Sequence, residues 1–185
     1  LRRTMEMKVE LNIAALRGII SSSGGADDFY RTMRGLKEYL TASGGNSTIT
    51  SEALSEKVVN KMYRDAWDDG GNPADLVGGA DMITQFASFN ASKIRYAPSD
   101  RIAGVYVNMY LTELGQQVAL TLDRFFRPDD VALIEKPKVW IAPLQGRGLT
   151  VKPLSPIGAA ERWQVLMECT LIAQNATKAH AWHSN

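Results

Sequence analysis

Residues 105–134 contain two alternating runs of apolar and polar side chains, separated by a turn that contains a glycine. In the first run, one face carries Val105, Val107, Met109 and Leu111, and the other carries Tyr106, Asn108 and Tyr110. Beyond residues 112–116, the second run alternates Val118, Leu120 and Leu122 with Gln117, Ala119 and Thr121. A period of two is typical of β-strands. The acidic corner at residues 124–130 then leads into an apolar run, residues 131–134, which predicts a third and more buried strand.

Two earlier segments have the patterns of amphipathic helices. Apolar residues at spacings of four and three predict a helix that ends near Gly18; they are Met5, Val9, Ile13, Leu16 and Ile20. A second helix is predicted from an N-cap at Ser51 to about Asp69. It should stop at residues 70–73, Gly-Gly-Asn-Pro, because glycine accepts the left-handed cap and proline cannot continue a helix.

The remaining segments complete an α+β pattern in which helices come first and strands follow. Residues 90–104 are polar and are predicted to form a surface loop. Residues 139–143 are predicted to form a strand and residues 146–148 a loop. Alternation from Trp163 to Ile172 predicts one long strand.

Composition limits the kinds of function that can be expected. The 185 residues suffice for one large domain or two small lobes. The chain has 21 Lys and Arg against 20 Asp and Glu, so overall charge gives no reason to expect capture of DNA or a membrane. No apolar run approaches the roughly 18 residues of a membrane span, and no signal peptide is visible. The single cysteine, Cys169, excludes an intramolecular disulfide and is interpreted as a buried, inert thiol.

Three segments together resemble the major capsid proteins of tailed bacteriophages, within the Hong Kong 97-like superfamily. They are residues 67–73, residues 105–134 and residues 163–180. In the last of these, Glu-Cys-Thr-Leu at 168–171, Asn175 and Ala179-His180 occupy places where that family usually has Glu-Tyr-Thr-Leu, Asn and Ala-His. Two departures are Glu-Leu-Gly at 113–115, where Asp-Phe-Gly is usual, and Glu135, where Asp is common.

The resemblance implies an α+β Hong Kong 97-like fold with a spine helix, long peripheral strands and a compact axial lobe. Residues 1–50 would form the spine helix and a connection, 51–145 mainly the axial lobe with the central strands, and 146–185 the return strand to the peripheral lobe. It also implies a short strand at residues 75–77 and a third helix after Gly79, whose apolar face would carry Met82, Ile83, Phe86 and Phe89. Because the chain begins in a helix pattern, we expect an N-terminal arm and an extended loop upstream of Leu1.

The implied function is structural. Copies of the chain would self-assemble as hexamers and pentamers into the icosahedral shell of a phage or prophage and would enclose DNA on its inner face. Expected further partners are scaffolding, portal or decoration proteins, with no membrane. The protein would be made in the bacterial host cytoplasm and would end in the virion. The alternative within this fold is the shell of a bacterial encapsulin-type nanocompartment.

Four charged residues are candidates for contacts between subunits. Arg95 and Arg101 form, with Lys93, the one modest basic cluster of the chain. Glu168 projects from the less apolar face of the last predicted strand, where burial by a neighbouring subunit would require a cation. We hypothesise that Glu168 pairs with an arginine of the same or an adjoining subunit, and Arg124 is our candidate.

Other classes of function find less support in the sequence, and we predict no catalytic residue, no cofactor and no metal. A small metal-dependent hydrolase would have to use His180, His183 and an acidic pair, Asp68-Asp69 or Asp129-Asp130. The two histidines lack a third ligand nearby and are interpreted as part of a polar C-terminal tail, with His180 in the last strand. No Gly-x-Ser-x-Gly motif occurs. A nucleic-acid-binding module would act through residues 93–101 and would bind DNA in a salt-sensitive way.

Overall fold

The computed structural model describes residues 2–21, 32–41, 48–49, 52–86, 89, 94–98, 106–158 and 160–184. The helices are α1 (Arg2–Arg17), α2 (Leu36–Leu40), α3 (Glu56–Asp68) and α4 (Ala80–Phe86). The strands are β1 (Thr48–Ile49), β2 (Asp75–Gly78), β3 (Ile94–Pro98), β4 (Tyr106–Leu111), β5 (Gln117–Leu122), β6 (Asp130–Ile134), β7 (Val139–Pro143), β8 (Thr150–Ile157), β9 (Ala160–Leu166), β10 (Cys169–Ala173) and β11 (Ala181–Ser184).

The chain divides into two compact units. Unit 1 comprises residues 1–36 and 140–172, and unit 2 comprises residues 37–139 and 173–185. The chain therefore passes between the units three times. The last thirteen residues, which the sequence assigned to the return strand, belong to unit 2 together with the central strands.

Unit 1 combines α1 with a hairpin of β8 and β9. The amphipathic helix predicted to end near Gly18 is confirmed as α1. In the antiparallel hairpin, Val151 lies opposite Val165 and Pro153 lies opposite Trp163. The sequence did not predict β8, because Pro153 and Pro156 cannot donate backbone hydrogen bonds and argue against a strand. The hairpin tolerates them because an isolated two-stranded sheet has only edge strands.

Unit 2 is built on a mixed seven-stranded sheet, with the strand order β1-β11-β6-β2-β5-β4-β3. The three strands predicted in residues 105–134 are β4, β5 and β6, and all three are confirmed. Gly115, with φ +78°, provides the left-handed position of the turn between β4 and β5. The third strand is more buried than β5, since residues 130–133 are all buried whereas β5 has only Val118 and Leu120 buried.

Helices α3 and α4 cover the sheet of unit 2 and enclose its core. The apolar faces of α3 and α4 meet Tyr110, Val118 and other side chains of the sheet. Tyr110 lies edge-on to Phe86, with ring centroids 5.8 Å apart. The packed face of β4 is thus the face of Tyr110, while Met109 and Leu111 on the other face are only half-buried.

The bounds of α3 differ slightly from those predicted. The N-cap is Ser55, whose hydroxyl accepts a hydrogen bond from the Val58 N–H, and the predicted cap Ser51 lies outside the described residues. The helix ends as predicted, because Gly70 adopts φ +83° immediately after the C-cap Asp69. The short strand β2 and the third helix α4, expected from the resemblance, are both present.

Two predictions about the extent of loops and strands were wrong. Residues 94–98 form the edge strand β3 inside the segment predicted to be a loop, and the rest of that segment, 90–93 and 99–104, lies outside the described residues. The long strand predicted from Trp163 to Ile172 is divided into β9 and β10, because the backbone leaves the ladder at Met167 and Glu168.

Candidate assembly surfaces

Glu168, the sharpest sequence candidate, lies at the break between β9 and β10. Its carboxylate Oε1 forms an ion pair with Arg147, and both side chains are more than half exposed. The backbones are joined as well, since the Glu168 N–H donates to Arg147 O at 3.0 Å and the Leu144 N–H donates to Glu168 O at 2.8 Å. Within one chain Glu168 therefore pairs with an arginine, as hypothesised, and that arginine is Arg147, in the same unit. Pairing with Arg124 of another copy remains a prediction.

Arg124 lies in the corner between β5 and β6, in unit 2. The carboxylate of Asp123 accepts a hydrogen bond from the Phe125 N–H at 2.8 Å, and this closes a tight turn that presents Arg124 to solvent. The side chain of Leu122 next to it is also exposed, at 62%. An exposed cation beside an exposed apolar side chain is a suitable arrangement for a protein contact.

The basic cluster is described only in part. Arg95 lies in the edge strand β3, where its backbone is paired with Met109, and its side chain is not among those described. Lys93 and Arg101 lie outside the described residues. Their role in subunit contacts stays a prediction.

Unit 1 exposes apolar side chains that the sequence analysis did not single out as contact residues. The outer face of α1 presents Met5, Val9 and Ile13, and Met5 is 65% exposed. On the hairpin, Val151 and Trp163 lie on the same face, and Trp163 is 61% exposed. The alternation that placed Trp163 on an apolar face was the available signal, but alternation cannot show whether a face is covered.

A groove of about 420 Å³ lies on the opposite side of α1 within unit 1. Its apolar lining is contributed by Met7, Leu11 and Ala14 of the helix and by Leu149, Met167 and Cys169 of the strand region. Burial raises the pKa of the Cys169 thiol. Cys169 is only half-buried, whereas the sequence predicted a buried thiol.

The C-terminal residues are not a polar tail, contrary to the sequence interpretation. Strand β11 lies between β1 and β6, and residues 179–183 are all buried. Trp182 stacks on Phe126 with ring centroids 5.4 Å apart. His183 belongs to β11, whereas His180 immediately precedes it.

His180 accepts a hydrogen bond at Nδ1 from the Glu135 N–H at 3.0 Å, and its Nε2 lies 3.2 Å from Gln174 O. Desolvation by burial lowers the pKa of His180, although the contact with Gln174 O and the nearby carboxylate of Glu135 oppose this shift. A metal ligand would need one of these ring nitrogens free, so the arrangement observed is that of a structural histidine.

The two aspartates of the pair Asp129-Asp130, considered above as a cation site, differ in burial. Asp129 is exposed, whereas Asp130 is 1% exposed and receives Lys37 Nζ at 3.1 Å and the Ser184 hydroxyl at 2.6 Å. Asp68 and Asp69 form the last turn and the C-cap of α3. Within the described ranges, no three His, Cys, Asp or Glu side chains are grouped as a metal site would require. No helix in the described part of the chain is long and apolar enough to span a membrane.

Three solved structures match this chain at low sequence identity. The encapsulin of the holo-SrpI complex from Synechococcus elongatus PCC 7942 matches with a TM-score of 0.61 and 15% identity, over 99% of this chain and 63% of that one. The virus-like particle from Pyrococcus furiosus has a TM-score of 0.47 and 12% identity, over 80% of this chain and 58% of that one. The structure from Mycobacterium phage Adephagia has a TM-score of 0.45 and 16% identity, over 94% of this chain and 50% of that one. The chain thus spans half to about two thirds of these structures.

The fold is Hong Kong 97-like, as the sequence resemblance had implied. Among curated proteins, none matches the chain significantly. The model of the SU10 major capsid protein family, however, matches residues 1–185. The chain belongs to that family of capsid proteins.

Proposed function

We propose that this chain is the structural subunit of the icosahedral shell of a tailed phage or prophage, and that its copies self-assemble to enclose DNA. The observation that carries the proposal is the match of the major capsid protein family over the whole chain. The encapsulin likeness supports the fold alone, because the identity is 15%.

The two units suit such a subunit. We propose that unit 1, with the spine helix α1, forms the peripheral lobe, and that unit 2, with the seven-stranded sheet, forms the axial lobe around which hexamers and pentamers close. Closed symmetric assembly multiplies weak contacts, so no single contact has to be strong. The role is physical and involves no reaction.

Contacts between copies are proposed at the charged candidates Arg95, Arg101, Arg124 and Glu168. The carboxylate of Glu168 is half exposed even while it pairs with Arg147, so it can accept a second cation from a neighbour. Scaffolding, portal and decoration proteins are the further partners that a phage shell would meet, and packaged DNA would face its inner surface.

Electron microscopy of particles expressed from the complete reading frame tests this proposal. Uniform closed shells are expected, with any scaffolding partner supplied. Nucleic acid in shells purified from infected or induced cells would support the capsid, whereas a folded enzyme cargo would favour the nanocompartment. Only small discrete oligomers under these conditions would refute both.

A further inference from the structure

The ring of His180 connects two segments of unit 2 that are distant in sequence. Nδ1 accepts from the Glu135 N–H at 3.0 Å, and Nε2 lies 3.2 Å from Gln174 O. A carbonyl oxygen can only accept, so Nε2 carries the proton and Nδ1 offers a lone pair. Both contacts are satisfied by one species alone, the neutral imidazole with its proton on Nε2.

The two segments are the ends of a ribbon formed by β7 and β10. Glu135 immediately precedes the short 3-10 helix, Lys136–Lys138, that leads into β7, and Gln174 immediately follows β10. At this end the Gln174 N–H also donates to Lys138 O at 2.9 Å, and at the other end the Leu144 N–H donates to Glu168 O at 2.8 Å. The ribbon is therefore antiparallel, and His180 fastens both of its strands at the end that lies in unit 2.

Among the described residues, two charged groups, Glu135 and Lys138, face the ring. Lys138 Nζ lies 2.7 Å from the carboxylate of Glu135. The negative charge of Glu135 would stabilise an imidazolium and the positive charge of Lys138 would destabilise it, so the two effects largely cancel. Burial would raise the pKa of Glu135, but hydrogen bonds from Lys138 and from the Asn72 N–H outweigh it and lower that pKa. Glu135 therefore stays ionised while histidine titrates. The ring itself is 1% exposed, and this burial disfavours its charged form.

We propose that His180 is a pH-sensitive clamp on the β7–β10 ribbon, closed while the ring is neutral and opened when Nδ1 takes up a proton. Protonation places an N–H on Nδ1 directly opposite the Glu135 N–H, so an acceptor is replaced by a donor and the hydrogen bond is lost. The ribbon then keeps its ladder bonds but loses its fastening to the turn before β11. The clamp is independent of the proposed shell function, because it needs only the contacts within unit 2.

The direction of the pH effect follows from the depressed pKa of His180 in the closed clamp. The open form takes up a proton near the ordinary histidine value of about 6.5, whereas the closed form does so at lower pH. The clamp is therefore most stable above about pH 6.5 and weakens as pH falls toward the closed-state pKa. Between these two values, opening becomes up to about tenfold more frequent for each unit of pH lost.

Hydrogen exchange measured by mass spectrometry on the full chain tests the clamp. Exchange at the imidazole C2 position gives a titration midpoint for each of the two histidines in the chain. Backbone amide exchange, corrected for the intrinsic effect of pH, gives the protection of the Glu135 amide in the same samples. We expect a midpoint for His180 below about 6.5 and amide protection that falls up to about tenfold per pH unit below about 6.5.

The substitution His180→Gln supplies the matched variant, because its amide can accept and donate but does not titrate. Protection of the Glu135 amide should then be independent of pH between 4 and 7, whereas His183→Gln should keep the wild-type dependence. If His180→Gln does not fold, the wild-type protein still decides the question. Two results would overturn the proposal. One is protection of the Glu135 amide that does not change with pH while His180 titrates. The other is a His180 ring that stays neutral down to pH 4.

Discussion

The hydroxyl of Tyr110 is buried in the core of unit 2 and points at a polar partner. It donates to Asn60 Oδ1 at 3.4 Å, and the same oxygen accepts the Glu113 N–H at 3.3 Å. Desolvation raises the pKa of Tyr110 to about 12, assisted by the carboxylates of Glu56 and Glu113 and opposed by the bond to Asn60. The Tyr110 phenol is therefore harder to ionise in the folded protein than in the unfolded chain.

This shift predicts a loss of stability in alkali. In the unfolded chain Tyr110 ionises near pH 10, so its contribution is complete below that value and is lost as the pH rises toward 12. Urea unfolding at pH 9, 10 and 11 should show the wild type losing stability faster than Tyr110→Phe, by up to about 1.4 kcal/mol per pH unit above 10. Parallel pH profiles for the two proteins would contradict this account of Tyr110.

The ion pair of Lys37 and Asp130 holds a buried carboxylate at the start of β6, an interior strand of the sheet. Lys37 Nζ contacts both carboxylate oxygens, at 3.2 and 3.1 Å, and lies 5.4 Å from the centre of the Trp182 ring. The aspartate is almost inaccessible, whereas the lysine side chain is 31% exposed. Removing the lysine would leave a buried charge with only neutral partners among those described here.

Lys37→Met should therefore cost about 3 kcal/mol of unfolding free energy, at the low end of the range for a broken buried pair because water reaches the lysine. The matched control is Arg64→Met, which removes an exposed ion pair in the same unit, between Arg64 and Glu113 at 3.7 Å. It should change the free energy of unfolding by less than about 1 kcal/mol. Chemical denaturation of both variants measures the difference. Equal effects would mean that Asp130 does not depend on Lys37.

At the scale of elements, the sequence correctly predicted the helices and strands that show a clear local pattern of apolar and polar residues. Alternation was sufficient for β4 and β5, a continuous apolar run for the buried strand β6, and helical spacing for α1. Sequence patterns failed where contacts between distant segments determine the secondary structure. The prolines of β8 argue against a strand until the hairpin provides free edges, and nothing local marks the break at Met167 and Glu168.

The junction of β2 and α4 depends on a glycine. The Gly79 N–H donates to Asp130 O at 3.0 Å, and a Cβ at this position would lie 2.0 Å from Arg127 O and 2.6 Å from Pro128 Cα. These are backbone atoms of the corner before β6, so they cannot move aside as a flexible side chain would. This close approach of two backbones explains why residue 79 is a glycine.

Gly79→Ala should accordingly destabilise the protein by about 1–3 kcal/mol through overpacking. Gly148→Ala is the control, since an added Cβ there meets nothing within 4 Å. It should stay within about 0.5 kcal/mol of the wild type in the same thermal or denaturant unfolding assay. A Gly79→Ala protein as stable as that control would show that the corner before β6 can shift.

At the scale of the whole molecule, the sequence predicted the class of protein but not how the surfaces are used. Resemblance in a few motifs was enough for the capsid family, and the family match over the full chain confirms it. The buried state of β11 and the exposure of Trp163 depend on which segments pack together, and alternation alone does not contain that information. The partner of Glu168 within the chain also depends on packing: the fold of unit 1 places Arg147 next to it, and the sequence pattern could not indicate this.

Assembly should respond to reversal of the charge at Arg124. If this exposed arginine meets a carboxylate of a neighbouring copy, Arg124→Glu raises the chain concentration at which particles form by about tenfold for each 1.4 kcal/mol lost per subunit. Lys178→Glu is the control, because it makes the same change of charge on an exposed turn of the same unit. Sedimentation of particles over a series of chain concentrations measures the threshold, and matching thermal unfolding curves confirm that both variants are folded.

The identity of the carboxylate is tested by a second reversal. Glu168→Arg also breaks the pair with Arg147 within the chain, so this variant alone should assemble poorly for two reasons. Combined with Arg124→Glu, it recreates an opposite pair across the contact if Glu168 and Arg124 of different copies meet. The double variant should then assemble at a lower concentration than either single variant. Additive losses would exclude that pairing, and an Arg124→Glu threshold equal to that of Lys178→Glu would remove Arg124 from the interface altogether.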